Sequence, residues 1–112
     1  MLRSDLDNAD SQYGNVGIHS LTSGGFSVGS GSAVNQNSIN YVAWCWKAGG
    51  TPVSNTDGSI TSSVSANTAF GFSVVTYTGT GSNATVGHGL GKAPNLIIIK
   101  NRDTSLGDAW RV

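Results

Sequence analysis

Residues 41–47, Tyr-Val-Ala-Trp-Cys-Trp-Lys, are the feature that most constrains the fold of this chain. They hold two of the three tryptophans and the only cysteine, between flanks rich in serine, asparagine and glycine. Side chains of a β-strand alternate between two faces, so Val42, Trp44 and Trp46 share one face of a strand here. Two tryptophans on one face form a large hydrophobic anchor. The stretch therefore predicts the central strand of a sheet, with Cys45 as a small buried packing residue.

The composition favours an all-β protein. The chain has 112 residues, contains no glutamate, and draws nearly half of its residues from Ser, Thr, Asn and Gly. β-Branched and turn residues are plentiful, whereas runs of strong helix formers are missing. This composition predicts many short strands and tight turns. The low hydrophobic content also predicts a thin core that depends on neighbouring chains or repeats for stability.

The charge balance argues against several classes of partner. Six Lys and Arg offset six Asp, so the formal net charge is zero. No basic stripe is present for a nucleic acid, and no apolar run is long enough to span a bilayer. Residues 1–5 lack the apolar region of a signal peptide, and a single cysteine excludes an internal disulfide. We expect neither a nucleic-acid partner nor a membrane partner.

Apolar spacing predicts further strands. Alternation predicts strands at 25–28 and 70–78, with a short strand at 84–87. The continuous apolar run at 95–100 is typical of a strand covered on both faces. Residues 59–65 carry only single apolar side chains and are predicted as an extended edge segment. The expected packing partners of Trp44 and Trp46 are Phe70, Phe72 and residues 96–99.

No motif supplies catalytic chemistry or a metal site. The acidic stretch at 5–10 has Ala9 and Asp10 where a calcium loop needs an oxygen ligand and glycine, so it predicts a solvated loop. The pattern at 87–93 argues against a phosphate-binding loop, because Val86 takes the first glycine position and Ala93 replaces the hydroxyl. The segment predicts a structural turn instead, formed by His88, Gly89, Gly91 and Pro94. We therefore expect no enzyme, no catalytic residue, no metal and no cofactor.

Three aromatic residues are candidates for ligand binding through sugar stacking, namely Tyr41, Tyr77 and Trp110. Aromatic rings exposed on a β-sheet surface stack on sugar rings. Packing in a core or between sheets is the more frequent role of such residues. Both interpretations stay open at this point.

Three segments resemble virion proteins of marine tailed bacteriophages, at 41–50, 71–81 and 86–102. The His-Gly-Leu-Gly-x-x-Pro turn at 88–94 is similar to turns in phage tail-fibre modules. These proteins look like tandem repeats of a concanavalin-like, jelly-roll β-sandwich. The resemblance covers most of residues 24–111. It implies an antiparallel β-sandwich with a fibre, decoration or other structural role.

The resemblance also implies an inverted order of segments. In the family pattern a repeat opens near Gly71 and closes with the strand that lies here at 41–47. The expected organisation is therefore the closing part of one repeat at 1–48, a polar linker at 49–67 and the opening part of the next repeat at 68–112. Such a chain is a partial or permuted repeat, or a truncated piece. Its halves either complete one sandwich or assemble with other copies.

The resemblance implies a non-enzymatic structural module of a phage virion, associated with the tail or tail fibre. It is expected to act in assembly or in host-surface attachment. The expected location is the virion, after synthesis in the host cytoplasm. Expected partners are further copies of the chain, other virion proteins and a host-surface glycan. Two alternatives stay open: a lectin-like carbohydrate-binding module and a fragment of a polysaccharide depolymerase.

Overall fold

The computed structural model describes residues 16–103 and 110–112. These residues form short strands in two antiparallel sheets and one helical turn, which is an all-β architecture. The chain comprises two compact units, Met1–Ala43 with Leu96–Val112, and Trp44–Asn95. Among the described residues, no helix is long and apolar enough to cross a membrane. The acidic loop predicted at 5–10 lies outside the described residues.

The first unit contains a β-hairpin. β1 (Ile18–Thr22) pairs antiparallel with β2 (Gly25–Val28), and the turn between them has only two residues. The predicted strand at 25–28 is therefore confirmed. The hydroxyls of Ser20 and Ser27 hydrogen-bond across the hairpin at 2.8 Å. Every residue of β1 is exposed, so the backbone ladder and this serine pair hold the hairpin rather than a buried face.

A single helical turn, α1 (Ser32–Asn35), follows the hairpin. The Tyr41 hydroxyl donates to the Ser32 carbonyl oxygen at 2.6 Å and accepts from the Gln36 amide at 3.0 Å. These bonds use a backbone acceptor at the start of the turn and a backbone donor just after its end. Tyr41 therefore stabilises the turn from outside it.

The second unit is a three-stranded antiparallel sheet in the order β3 (Val53–Asn55), β4 (Ser62–Asn67), β5 (Phe72–Thr76). β5 confirms the central part of the strand predicted at 70–78. β4 lies between the other two strands, so the prediction of an edge segment at 59–65 is wrong. The segment at 49–67, expected as a polar linker, contains two of the three strands.

The core of this sheet lies on one face of β4. Val64 is 3 % exposed and is the only buried hydrophobic side chain among the described residues. Its cross-strand neighbours are Val53 of β3 and Val75 of β5. Ser62 is also buried on this face, and its hydroxyl donates to the Gly87 carbonyl oxygen at 3.1 Å. The buried polar group is thus satisfied, as buried groups must be.

Residues 41–47 do not form the predicted central strand. The carbonyl group of the last residue of this stretch, and one three residues beyond it, bond to side chains of β4. Asn67 Nδ2 donates to the Lys47 carbonyl oxygen at 3.2 Å, and the Ser65 hydroxyl donates to that of Gly50 at 2.7 Å. Side-chain bonds of this kind compete with strand pairing, because they occupy the acceptors that a ladder needs.

The two tryptophans are not buried in the way the sequence predicts. Trp44 is 74 % exposed and Phe70 is also exposed. Trp46 stacks on Phe72 but keeps most of its surface in contact with solvent. Cys45 between the tryptophans is exposed as well, so its predicted burial is wrong. Within 16–103 and 110–112, no strand pairs with this stretch.

The apolar run expected as a doubly covered strand at 95–100 is exposed. Leu96–Ile99 are 44 to 64 % exposed. With partners in the described part of the chain, Ile99 alone of this run pairs, in an isolated antiparallel bridge with Arg111. The short strand predicted at 84–87 is likewise reduced to one bridge, between Val86 and Ile60. The prediction of a covered strand at 95–100 is wrong for the described structure.

Candidate functional site

The second unit carries an open groove of about 420 Å³ on its sheet. All seven lining residues carry a hydroxyl group: Ser54, Thr61, Ser62, Ser63, Thr76, Tyr77 and Thr78. The Ser62 hydroxyl is buried and already donates to the Gly87 carbonyl oxygen, so the other six are the groups that a ligand can use. A hydroxyl both donates and accepts hydrogen bonds, and none of these side chains is charged at neutral pH. The groove is therefore suited to a neutral ligand with many hydrogen-bonding groups.

The strand register aligns three of these hydroxyl side chains, Ser54, Ser63 and Thr76, which we term the hydroxyl row. Ser63 of β4 lies opposite Ser54 of β3 and opposite Thr76 of β5. Directly opposed side chains on neighbouring strands are roughly 5 Å apart, so the three point from one face in a line across the sheet. Within the described ranges, none of the three hydroxyls has a hydrogen-bond partner.

An aromatic stack lies farther along the same sheet face. The rings of Trp46 and Phe72 have centroids 5.8 Å apart and planes inclined by 13°. Trp46 is still 65 % exposed despite this contact. Alternation along β5 places Phe72, Val74 and Thr76 on one face. The aromatic stack and the hydroxyl row therefore share that face, roughly 13 Å apart along the strand.

Of the three aromatic residues predicted as sugar-stacking candidates, only Tyr77 lines the groove. It follows β5 and is partly exposed. Tyr41 and Trp110 belong to the other unit. The Tyr41 hydroxyl is already bonded around α1, and Trp110 is half-buried. Trp46 was not among the predicted binding residues, because strand alternation assigned its ring to a core.

The turn predicted at 88–94 lies over the core face of β4. His88 Nδ1 accepts a hydrogen bond from the Leu90 amide at 3.2 Å. Gly89 and Gly91 both have a φ of 70°, in the left-handed region that favours glycine. A Cβ on Gly89 lies 3.0 Å from Val64 Cγ1, so the turn approaches the core valine closely. This turn contributes to packing and does not line the groove.

The described residues offer few groups for metal binding or acid–base chemistry. Within 16–103 and 110–112, no three His, Cys, Asp or Glu side chains are close enough together to hold a metal ion. Asp57 is engaged locally, accepting from Asn55 Nδ2 at 2.9 Å through Oδ2. The chemistry that the groove and the aromatic stack provide is hydrogen bonding and ring stacking.

These features define a small all-β protein with a hydroxyl-lined groove beside an exposed aromatic stack. Residues 1–112 match the family described as Domain of unknown function (DUF7483), and the chain belongs to that family. No curated protein and no solved structure matches the chain.

Proposed function

We propose that the chain is a non-enzymatic structural module of a phage virion, associated with the tail or tail fibre and acting in assembly or host attachment. Its sheets are then parts of a concanavalin-like sandwich, completed by other copies of the chain or by other virion proteins. The resemblance at 41–50, 71–81 and 86–102 supports the phage assignment. The antiparallel all-β architecture of the described residues supports the sandwich.

The observation that carries this proposal is the exposure of the apolar run Leu96–Ile99. Fully burying one such side chain contributes about 1.5–3 kcal/mol, so four in sequence are a strong drive for association. Isoleucine favours strands, and an exposed apolar strand segment tends to pair with another chain. We infer that this run pairs within a sheet that a second copy of the chain supplies.

Light scattering on wild type and Ile98→Lys tests the assembly. Wild type is expected to have a mass that is a multiple of the 11.5 kDa chain. Lysine within the run places an ammonium group in the contact, where an unpaired buried charge is strongly unfavourable. Ile98→Lys is therefore expected to shift the mass towards that of a single chain.

Leu21→Lys is the matched control, because Leu21 is an exposed apolar residue of β1 outside the run. It introduces the same charge on the same unit and is expected to leave the mass unchanged. A wild-type chain that stays monomeric at every concentration contradicts the proposal. Equal dissociation by both variants contradicts the assignment of the contact to Leu96–Ile99.

A further inference from the structure

We infer that the face of the β3–β4–β5 sheet with the hydroxyl row and the aromatic stack binds a neutral, extended oligosaccharide. This goes beyond assembly and does not rest on it. The binding residues belong to Trp44–Asn95, whereas the assembly run Leu96–Ile99 belongs to the other unit. The same chain can therefore associate through one set of residues and bind a glycan through another.

Trp46 supplies the stacking surface. Phe72 covers part of one side of its ring, and the 65 % exposure leaves the remainder open. The C–H groups on one side of a pyranose form a flat apolar surface, which packs on an aromatic ring and is desolvated there. Asn67 Nδ2 bonds to the Lys47 carbonyl oxygen, one residue from Trp46, so the backbone beside the ring is fixed before the ligand arrives.

The hydroxyl row selects the polarity of the ligand. Each of Ser54, Ser63 and Thr76 can donate one hydrogen bond and accept two, and a sugar hydroxyl has the same capacity. Because the groove lining has no charged side chain, a phosphate, carboxylate or ammonium gains no ion pair there. Neutral glycans therefore fit this lining better than nucleotides or acidic polymers do.

The spacing of the two features sets the length of the ligand. Thr76 lies four positions after Phe72 in β5, roughly 13 Å along the strand, which exceeds the span of one pyranose ring. Val74 lies between them on the same face and is itself exposed. A ligand that stacks on Trp46 and bonds to Thr76 must therefore contain several sugars and pass over Val74.

Isothermal titration with cellohexaose, maltohexaose and chitohexaose tests the inference on the full chain. Wild type is expected to bind at least one of these hexasaccharides with a millimolar or lower Kd. Trp46→Ala removes the stacking surface and is expected to weaken that binding about tenfold. Trp44→Ala is the matched control, since Trp44 is also a largely exposed tryptophan and lies two residues away, and it is expected to leave Kd within about twofold.

Thr76→Val provides a second test that keeps the side-chain volume. It deletes one hydroxyl of the row at an exposed position, and a loss of about fivefold in affinity is expected. Absence of binding of wild type to all three hexasaccharides overturns the inference, as does wild-type affinity in both Trp46→Ala and Thr76→Val. Light scattering on the same samples distinguishes this outcome from a failure of assembly. A variant that keeps the wild-type mass but loses sugar binding has lost the glycan site alone.

Discussion

Replacing Val64 by aspartate is expected to unfold the second unit. Val64 is 3 % exposed, and its neighbours across both strands are valines. A carboxylate at this position is removed from water without compensation, which costs several kcal/mol. Free energies of unfolding of small proteins are roughly 5–15 kcal/mol, so this cost removes much of the stability of the folded state. Thermal unfolding followed by circular dichroism is expected to show a reduced or absent transition.

Val53→Asp is the matched control for this change. Val53 is the cross-strand partner of Val64 on the same face, but it is 65 % exposed. Its carboxylate remains hydrated, so the expected loss is within about 1 kcal/mol, mostly from lower strand propensity. Similar unfolding curves for Val64→Asp and Val53→Asp contradict a core centred on Val64.

The central strand of this sheet is hard to predict from sequence for a physical reason. β4 contains Ser62, Val64 and Ser65 with only one large apolar side chain, so its alternation gives a weak signal. Its two buried serines are satisfied by the carbonyl oxygens of Gly87 and Gly50, which are distant along the chain. Burial of such a strand depends on long-range acceptors, whereas β2 and β5 are defined by local alternation.

The stretch 41–47 shows the opposite error. Its apolar alternation is strong, but a strand also requires a partner with free backbone groups. In the structure the acceptors near its end bond to side chains of β4, and Trp46 packs on Phe72 without a ladder between the two segments. The hydrophobic pattern predicted that the two tryptophans are buried. It carries no information on whether another strand pairs with 41–47.

The candidate site could be predicted only in part. Tyr77 was one of three sugar-stacking candidates for which core packing stayed the alternative, and it does line the groove. The hydroxyl row could not be recognised, because Ser and Thr occur throughout the chain and nothing local marks Ser54, Ser63 and Thr76. Their alignment exists only through the register of three strands, and a shift of one residue would reverse the faces.

Gly89→Ala is expected to lower the stability of the second unit by about 2–4 kcal/mol. Two penalties combine at this position. A φ of 70° costs a residue with a Cβ roughly 1–2 kcal/mol. The added Cβ also lies 3.0 Å from Val64 Cγ1 and 3.2 Å from Ala66 Cβ, so the turn must lift from β4 or the core must shift. Chemical denaturation of wild type and variant measures the loss.

Gly91→Ala separates the two penalties, because Gly91 has the same φ of 70°. Apart from its two chain neighbours, no described residue has an atom within 4 Å of the position that a Cβ takes there. Only the backbone term applies there, and the expected loss is about 1–2 kcal/mol. The difference between the two variants therefore measures how tightly the turn packs on Val64. If Gly89→Ala and Gly91→Ala lose the same stability, the turn does not press on the core, and the thin core of this sheet depends on its strand pairing alone.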